Sequence, residues 1–573
     1  MRCSSLVRLL EAGGPDIRQT LAQVYGAQAT SVMEERRQAW SRVARRFLQC
    51  WGDREVSAVR APARIALNPH CEHQGAWVPY GAHRRELICV VGPRPDGVVT
   101  LTNVDSTHRS GLSFLVREEI AVAPDAWQRG WVDYIEDAGV ARRRETLADP
   151  KDRQCDRTGS INFIKAAALR LAREAHGPLL GADFVIEGDI PIGVGQSSSS
   201  ALVVVAALAL DRIWDLRLEP RGLASVCGEA EWYVGTRGGA GDHAAMLLSS
   251  PDGLVGMRFV PPVTVRDTRP MCLPPGYQIL IANSGQQAIK NKEQRRHFNA
   301  GIFAYRFALV YLREALAERG KELGLSAADG GVRFLADFSV EKLPLHVIYQ
   351  LLMAVPESVS PRELMARYPE SYEHGAIACF GTADCDLLPS SIPIRGAAVY
   401  GLGRVDRGLA MHELCARGDD AAMLEFGRLM SITHDGDRVS RYDVRDGRFL
   451  PYLENRQSVS DDRVAKLIEI SSNGQVGPER EVADLRRQPG YYGASTPDLD
   501  RIVDLVQPLP DVLGAGLMGA GGGGCVLILA RGGEEAAARV TEALVQGYYD
   551  LLGKPRDVEP WVASPPAGEV QLG

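Results

Sequence analysis

Residues 188–202 read GDIPIGVGQSSSSAL, and this stretch decides the fold because it joins a strand to an apolar helix through a glycine and serine loop. The pattern predicts the strand over residues 184–187 and the helix from about Ser199. Glycines let a backbone approach phosphate oxygens, and the free N–H groups at the start of a helix favour an anion. A flexible linker would not run into an apolar stretch such as residues 201–208. The stretch is therefore predicted to be a phosphate-binding loop.

This loop differs from two better-known phosphate-binding patterns. No Gly-Lys-Ser/Thr follows the glycines, which excludes a Walker A loop, and the context of the dinucleotide GxGxxG motif is absent. Serine hydroxyls add hydrogen-bond donors, and one of them can ligate a magnesium ion. The spacing by itself supports a phosphate-binding loop and no more specific site.

A second glycine-rich loop lies near the C-terminus, where residues 514–525 read GAGLMGAGGGGC and run into a predicted strand at 526–529. So many glycines lose backbone entropy on folding, and a turn into a strand rarely needs more than two. The loop is therefore predicted to lie close to a ligand or to another part of the backbone.

The composition is that of a folded protein with more than one domain. The chain has 573 residues, more than one hydrophobic core normally fills. Its net charge is -7, from 65 Lys and Arg against 72 Asp and Glu. Because no dense basic run accompanies aromatic residues, nucleic acid is not an expected partner.

Cysteine usage and hydropathy predict a cytoplasmic protein with free thiols. The 11 cysteines form no CxxC pair and no zinc-site spacing, and the first residues lack an apolar signal stretch. A reducing compartment is the simplest interpretation. The longest apolar run, residues 201–210, is about half the length of a membrane-spanning helix, so no membrane partner is expected.

Periodicity predicts three regions of the chain and the α+β class. Residues 1–52 have apolar positions at helical spacing and form a helical extension. Residues 53–270 mix short strands with helices and contain the first glycine loop, and residues 271–573 form the second domain. A polar insertion is predicted around residues 435–490 within that second domain.

A third segment, residues 61–75, reads APARIALNPHCEHQG. Together with the two glycine loops it resembles the three ordered motifs of the GHMP kinases, the family of galactokinase, homoserine kinase, mevalonate kinase and phosphomevalonate kinase. The segment looks like the galactokinase signature APGRxNLIGEHxDYxGG, and its His-Gln-Gly ending is similar to that of galacturonate kinases. Further landmarks extend the resemblance from about Arg45 to Ala530.

The resemblance implies a two-domain architecture and an ATP-dependent activity. The expected fold has a ribosomal-protein-S5-like N-terminal domain, which carries the ATP loop, and a ferredoxin-like C-terminal domain, which carries the third motif. The active site is expected between them, with ATP, Mg²⁺ and a sugar or sugar acid as its ligands. Phosphoryl transfer needs little covalent help from the protein, so such a site must position both substrates and neutralise charge.

The resemblance also assigns roles to individual residues. Asp242 and Arg64 are expected to be catalytic, Asp242 accepting the proton of the acceptor hydroxyl and Arg64 offsetting charge on the transferring group. Glu72, His73 and Asp242 are expected to bind the acceptor. The nucleotide would contact the first loop, through Gly193, Gly195, Gln196, Ser197, Ser198, Ser199 and Ser200. The third-motif loop, with Gly519, Gly521, Gly522 and Gly523, is expected at the same site.

The metal site leaves alternatives open. Ser199 is the first choice for the hydroxyl ligand of magnesium and Ser198 the second, with Glu231 as the carboxylate and Glu229 as its alternative. Glu231 could instead be an exposed helical residue. His70 is expected to be structural, because no third ligand accompanies a His70 and His73 pair.

Without the resemblance, the two catalytic candidates have ordinary explanations. Asp242 beside a glycine-rich turn could be an Asx-turn residue, and Arg64 at a strand end could form a surface ion pair. Their places in the motifs favour the catalytic roles.

The motifs depart from the galactokinase form at several positions. The first motif is one residue shorter between Arg64 and Glu72, has Asn68 and Pro69 in place of an aliphatic residue and glycine, and places Glu72 where an aspartate normally contacts the sugar. Gln196 replaces a leucine, and the third motif is more similar to the fucose and heptose kinase form. An acceptor other than galactose is therefore expected.

Three hypotheses follow from the sequence. The first is an ATP-dependent kinase that phosphorylates the anomeric hydroxyl of a sugar. The second keeps the ATP site but uses another polyol, uronate or heptose acceptor. The third is a non-catalytic sensor that binds ATP and sugar. Retention of Arg64 and Asp242 favours turnover, because a binding protein need not keep that pair.

Overall fold

The structure is a computed structural model that describes residues 1–26, 30–105, 112–146, 159–260, 263–288, 292–320, 322–323, 332–473 and 477–572. Helices and largely antiparallel sheets contain most of these residues, which confirms the predicted α+β class.

Three helices form the N-terminal extension: α1 (Cys3–Ala12), α2 (Pro15–Tyr25) and α3 (Thr30–Trp51). The first helix ends where Gly13 adopts a left-handed conformation, and Pro15 begins the second. Trp40 and Phe47 of α3 are fully buried in a cluster that includes Val90 and Val185 of the adjoining sheet. The extension is therefore packed onto the first domain.

The first domain is built on one large sheet. Its strands are β1 (Ser57–Ala66), β2 (Trp77–Arg94), β3 (Val98–Asn103), β4 (Leu112–Leu115), β5 (Gly181–Gly188), β6 (Leu254–Val260), β7 (Thr264–Met271) and, from the end of the chain, β14 (Gly568–Glu569). Their order is β14-β1-β2-β5-β3-β4, and β2 also pairs with β6, which pairs with β7. All pairs are antiparallel except β3 with β5.

Helices of the first domain cover this sheet. They are α4 (Val116–Ile120), α5 (Pro124–Arg129), α6 (Trp131–Glu136), α7 (Ala138–Thr146), α8 (Gly159–Ala172), α9 (Ser198–Ile213), α10 (Pro220–Glu231) and α11 (Gly241–Leu248). Helices α8 and α9 are apolar along most of their length and form the centre of the core with β1 and β5. This burial explains why the apolar run after the first glycine loop is a core helix.

The second domain has a smaller antiparallel sheet in the order β11-β12-β8-β13. Its strands are β8 (Tyr277–Asn283), β11 (Val512–Leu517), β12 (Cys525–Arg531) and β13 (Val558–Pro560). Its helices are α12 (Lys292–Arg319), α13 (Leu345–Met353), α14 (Pro361–Arg367), α15 (Pro369–Phe380), α16 (Ile394–Arg417), α17 (Asp420–Asp437), α18 (Glu454–Gln457), α19 (Asp461–Ser472), α20 (Pro478–Val482), α21 (Pro497–Val506), α22 (Gly533–Leu544) and α23 (Asp550–Leu552).

The predicted insertion contains regular structure. It holds a hairpin of β9 (Ser440–Asp443) and β10 (Arg448–Pro451) followed by α18, α19 and α20. Val464 and Leu467 of α19 are almost fully buried in the core of the second domain. The segment is therefore integrated into that core in spite of its polar sequence.

The C-terminal segment joins the two domains. Strand β13 extends the second sheet, and β14 pairs with β1 of the first sheet. Between them, the Trp561 indole donates to the carbonyl of Ala82 at 3.0 Å, and Arg60 donates to the carbonyl of Pro565 at 3.0 Å. The sequence assigned residues 271–573 to the second domain, but the last of the described residues pack on the first.

A shared apolar cluster holds the domains together beside the glycine loops. Ile65 and Val194 from the first domain pack there with Met518 and Leu527 from the second. In the described part of the chain all cysteines are free. No helix among the described residues is long and apolar enough to cross a membrane.

Candidate active site

The first glycine loop connects β5 to α9, as the sequence predicts. Gly193, Gly195 and Ser197 have positive φ angles of 75°, 81° and 63°, so the chain is coiled tightly before α9 begins at Ser198. The loop contacts the second domain directly, since the carbonyl of Gly193 accepts from the backbone N–H of Ala288 at 2.6 Å. The N-terminus of α9, where a helix favours an anion, thus lies at the junction of the domains.

Five glycines of the third-motif loop have positive φ, namely Gly519, Gly521, Gly522, Gly523 and Gly524. A Cβ at Gly521 would lie 2.1 Å from the carbonyl oxygen of Ala494. A Cβ at Gly524 would lie 2.7 Å from the carbonyl oxygen of Val194, in the first loop. The glycines therefore allow two loops from different domains to pack backbone against backbone, one of the two explanations that the sequence left open.

Arg64 and Asp242 form a bidentate ion pair between β1 and the first turn of α11. The Arg64 Nε and Nη2 atoms lie 2.6 Å and 2.9 Å from the two carboxylate oxygens of Asp242. Arg64 Nη1 donates to the carbonyl of Gly195 at 2.5 Å, and the Ser197 hydroxyl donates to Asp242 Oδ2 at 2.5 Å. The pair is thereby tied to the first glycine loop.

The environment of this pair keeps the carboxylate ionised. Burial raises the pKa of Asp242, but the Arg64 charge and the hydrogen bonds from Arg64 and Ser197 outweigh it, so the pKa lies below its ordinary value of 3.8. The Arg64 side chain is 4% exposed and that of Asp242 is 33% exposed. The Asp242 carboxylate is therefore accessible to a ligand, and the buried Arg64 guanidinium holds it in position.

Glu72 and His73 lie in a short 3₁₀ turn, Glu72–Gln74, next to this pair. The Tyr80 hydroxyl donates to Glu72 Oε1 at 2.7 Å. A Cβ on Gly241 would lie 3.1 Å from the Glu72 side chain, so the turn touches the loop that precedes Asp242. The structure thus brings Glu72, a predicted acceptor-binding residue, next to Arg64 and Asp242, the predicted catalytic pair.

His73 is held neutral in this turn. Burial and, to a smaller extent, the Arg306 charge together lower its pKa to about 4. Its ring contacts Tyr305 of α12 edge-on, at a centroid distance of 5.8 Å. The Nε2 atom of His73 is buried and has no hydrogen-bond partner among the described residues. A neutral imidazole with a free nitrogen can exchange a hydrogen bond with a ligand hydroxyl.

Glu231 lies beside the start of α9 and Glu229 does not. The Ser199 hydroxyl donates to Glu231 Oε1 at 3.2 Å, and the Ser200 hydroxyl donates to Oε2 at 3.0 Å. Glu229 instead pairs with the guanidinium of Arg170 at 2.7 Å. The alternative carboxylate is therefore engaged elsewhere, whereas Glu231 has hydroxyl neighbours in the phosphate loop.

These hard oxygen donors suit magnesium. Ser199 and Glu231 can supply a hydroxyl and a carboxylate, and Mg²⁺ characteristically completes its shell with water and phosphate oxygens. The described residues contain no group of three His, Cys, Asp or Glu side chains with metal-site geometry.

His70 and the unusual Asn68 and Pro69 pack against the second domain. The His70 Nδ1 atom lies 3.1 Å from the Tyr400 hydroxyl. The Asn68 amide donates to the carbonyl of Arg404 at 3.0 Å, and Arg404 donates to the carbonyl of Pro69. Asn68 and Pro69, which depart from the galactokinase motif, therefore hold this segment against α16. His70 also contacts α16, so its contacts are structural.

Several contributions were not visible in the sequence. Tyr80, which holds Glu72, lies in β2 outside any motif, and His243 lies 3.2 Å from the Glu231 carboxylate. Gln196, which was predicted to bind nucleotide, is 2% exposed, and its role stays a prediction. Sequence patterns carry no signal for such contacts, because each is made where one element packs against another and not within a single helix or strand.

Two family models match the chain in the order of its domains. The model described as "GHMP kinases N terminal domain" matches residues 162–250, which include the first glycine loop and Asp242. The model described as "GHMP kinases C terminal" matches residues 462–550, which include the second glycine loop. Each match thus contains a glycine loop of the site.

Curated galactokinases are similar to the chain in sequence. The galactokinase of Dictyostelium discoideum is 31% identical over 153 residues, which is 26% of this chain and 30% of that protein. The galactokinase of Chloroflexus aggregans is matched over 59% of its length, so the chain spans less than two thirds of both relatives. The galactokinase of Roseiflexus sp. (strain RS-1) is 23% identical over 92% of this chain and 96% of that protein.

A solved structure has the same fold. The structure of Lactococcus lactis galactokinase complexed with galactose matches with a TM-score of 0.55 and 17% identity. The match covers 92% of this chain and 97% of that one. It confirms the predicted two-domain fold.

Proposed function

We propose that this chain, which belongs to the galactokinase-like GHMP kinases, catalyses the ATP-dependent phosphorylation of a monosaccharide or sugar acid at its anomeric hydroxyl. The observation that carries the proposal is the contact of Arg64 and Ser197 with Asp242. It places a partly exposed carboxylate and a buried guanidinium next to a helix N-terminus that suits phosphates. A phosphoryl group can thus be held beside an oriented hydroxyl.

In the proposed reaction, the acceptor oxygen attacks the γ-phosphorus of ATP, the bond from that phosphorus to the β,γ-bridging oxygen breaks, and ADP leaves. Asp242 orients the acceptor hydroxyl and takes its proton. Because Arg64 lowers the pKa of Asp242, transfer is favourable only as the new bond forms and the hydroxyl becomes acidic. Arg64 offsets the negative charge that gathers on the transferring group.

Ser199 and Glu231 would hold magnesium, because their oxygens are hard ligands next to the phosphate loop. When bound, the ion neutralises charge on the nucleotide phosphates. Glu72 and His73 would bind hydroxyl groups of the sugar. Glu72, which the Tyr80 hydroxyl orients, would accept hydrogen bonds from them. We expect the reaction in the cytoplasm, where free thiols such as those of this chain persist.

The test is incubation of the protein with ATP, MgCl₂ and a panel of neutral sugars and uronic acids. ADP release measured by a coupled assay, with ³¹P NMR of the product, should reveal a sugar with phosphate on its anomeric oxygen. If the protein binds ATP and sugar by calorimetry but forms no phosphorylated product with any acceptor, the function is that of a sensor and the proposal is wrong.

A further inference from the structure

The N-terminal extension reaches the first glycine loop through one buried side chain. Arg36 of α3 is only 8% exposed, and it contacts the middle of β2 and the first residue after β5. Its Nη2 atom donates to Asp189 Oδ2 at 2.6 Å and to the carbonyl of Arg84 at 3.2 Å. Asp189 is the second residue of the stretch 188–202, so this ion pair joins the extension to the start of the loop.

Strand β2 holds Asp189 from a second side. The Asp189 Oδ1 atom accepts from the backbone N–H of Glu86 at 2.7 Å, and the backbone N–H of Asp189 donates to the carbonyl of Glu86 at 3.1 Å. These bonds extend the pairing of β5 with β2, which ends at Gly188 and Leu87, by one residue. Both carboxylate oxygens of Asp189 are therefore engaged, although its side chain is 41% exposed.

A buried carboxylate in turn holds Arg36 in place. The Glu86 side chain is fully buried, and its Oε1 atom lies 3.4 Å from Arg36 Nε. The Tyr25 hydroxyl at the end of α2 donates to Oε1 at 2.6 Å, and Arg60 of β1 donates to Oε2. Because buried polar groups need partners, a guanidinium between two carboxylates has few other positions to occupy. Arg36 is therefore a fixed support for Asp189.

The loop that starts at Asp189 is also fixed at its other end. Hydrogen bonds to the second domain and to the ion pair of the active site hold it at Gly193, Gly195 and Ser197. The contact with Arg36 adds an anchor before these three. A loop that is held at both ends loses less conformational freedom when a phosphate binds, which strengthens binding without a new contact to the ligand.

We propose that Arg36 is a positioning residue of the nucleotide site, which holds the first glycine loop through Asp189 so that the N-terminal extension sets the affinity for ATP. The inference rests on the nucleotide-binding part of the proposed function. Because Arg36 acts on the start of the loop, its removal affects the binding of ATP and not the transfer step. The extension is therefore part of the nucleotide site and not an appended unit.

The first test replaces Arg36 by glutamine and measures the Kd for ATP by calorimetry, with kcat and the KM for each substrate. The Kd and the KM for ATP should rise about five- to thirtyfold, which is the cost of fixing the backbone of one loop residue on binding. The KM for the sugar should not change, and kcat at saturating ATP should stay within about threefold of the wild type. Arg36→Lys, which keeps the charge but loses the planar fork, should recover part of the affinity.

Asp189→Asn separates positioning from electrostatic attraction. Loss of a negative charge beside an anion site should by itself tighten the binding of ATP. If Asp189 positions the loop, the variant should weaken binding instead, and the double variant with Arg36→Gln should bind no more weakly than Arg36→Gln alone. Because the Asp189 side chain is partly exposed, this variant tests the same contact with a smaller loss of stability if Arg36→Gln does not fold.

Two controls match the lost charge and the lost stability. Arg42→Gln removes an arginine from the same helix, where it pairs at 3.1 Å with Glu187, two residues before Asp189. Tyr25→Phe removes a hydroxyl that binds the Glu86 carboxylate on the side away from the loop backbone. Both controls should keep the Kd for ATP close to the wild-type value, and Tyr25→Phe should lower the melting temperature.

The proposal is overturned if Arg36→Gln and Arg42→Gln change the Kd for ATP equally, or if Asp189→Asn binds ATP more tightly than the wild type. Calorimetry distinguishes these outcomes from failure of the proposed function. If ATP binding follows the expected pattern but no acceptor is phosphorylated, the positioning role stands and the kinase assignment fails. If a sugar is phosphorylated with an ATP affinity that does not depend on Arg36, the kinase assignment stands and the positioning role fails. A wild-type protein that does not bind ATP contradicts both.

Discussion

Replacement of Asp242 by asparagine tests the centre of the site. The substitution is nearly isosteric but removes the charge that faces Arg64 and Ser197. An asparagine oxygen can still accept one hydrogen bond, but its NH₂ group cannot accept from either partner. The variant therefore removes the proton acceptor and leaves the buried guanidinium without its counter-ion.

The expected magnitude follows from these contacts. General-base assistance contributes about 10²- to 10⁴-fold in rate, so kcat should fall by that order with little change in the affinity for ATP. Breaking a fully buried ion pair costs roughly 3–5 kcal/mol. Because the Asp242 side chain is 33% exposed, solvent screens the remaining charge, and we expect about 1–3 kcal/mol of lost stability.

The assay measures kcat and KM by ADP release, the Kd for ATP by calorimetry, and the melting temperature. Asp504→Asn is the matched control, because Asp504 forms a pair with Arg438 at 2.9 Å in the second domain, away from the glycine loops. The control should lose stability and keep kcat. If Asp242→Asn retains kcat within about threefold of the wild type, proton acceptance belongs to another group and the reasoning fails.

Three further predictions test other parts of the site. Ser199→Ala removes a hydroxyl next to Glu231 and should raise the MgCl₂ concentration for half-maximal rate several-fold; an unchanged requirement excludes Ser199 as a ligand. Gly519→Ala places a Cβ 3.1 Å from the Arg64 guanidinium at a φ of 74° and should lower kcat at least tenfold. Gly553→Ala, where φ is also positive but the surrounding space is open, should affect only stability. The pKa of His73 is lowered to about 4, against 6.5 in the unfolded chain. Below pH 6.5 the folded protein therefore binds fewer protons than the unfolded chain. The stability that the neutral His73 contributes is complete above pH 6.5 and is lost as the pH falls towards 4. Between pH 7 and pH 5 this loss is about 2 kcal/mol, and the melting temperature of His73→Gln should decrease less over that interval than the wild type; equal decreases would show that His73 is not buried as a neutral group.

Features that depend on local sequence were predictable. The first glycine loop was recognised between a strand and an apolar helix, and the structure has β5 and α9 there, because glycines and an uninterrupted apolar run act through neighbours in the chain. The α+β class follows from the same periodicities and is confirmed. The predicted roles of Asp242, Arg64 and the loop residues stay predictions, although the structure places several of them together.

Features that depend on packing were decided only by the tertiary structure. Arg64 and Asp242 meet across 178 positions of sequence, and nothing local to either residue specifies the other. Glu229 and Glu231 have similar local contexts, but two steps along a helix rotate a side chain by about 200°, so one faces Arg170 and the other faces the phosphate loop. The end of the chain joins the first sheet because β1 has an open edge there. Such contacts are set by which surfaces meet when the domains pack, and a sequence pattern records only what each segment does with its own neighbours.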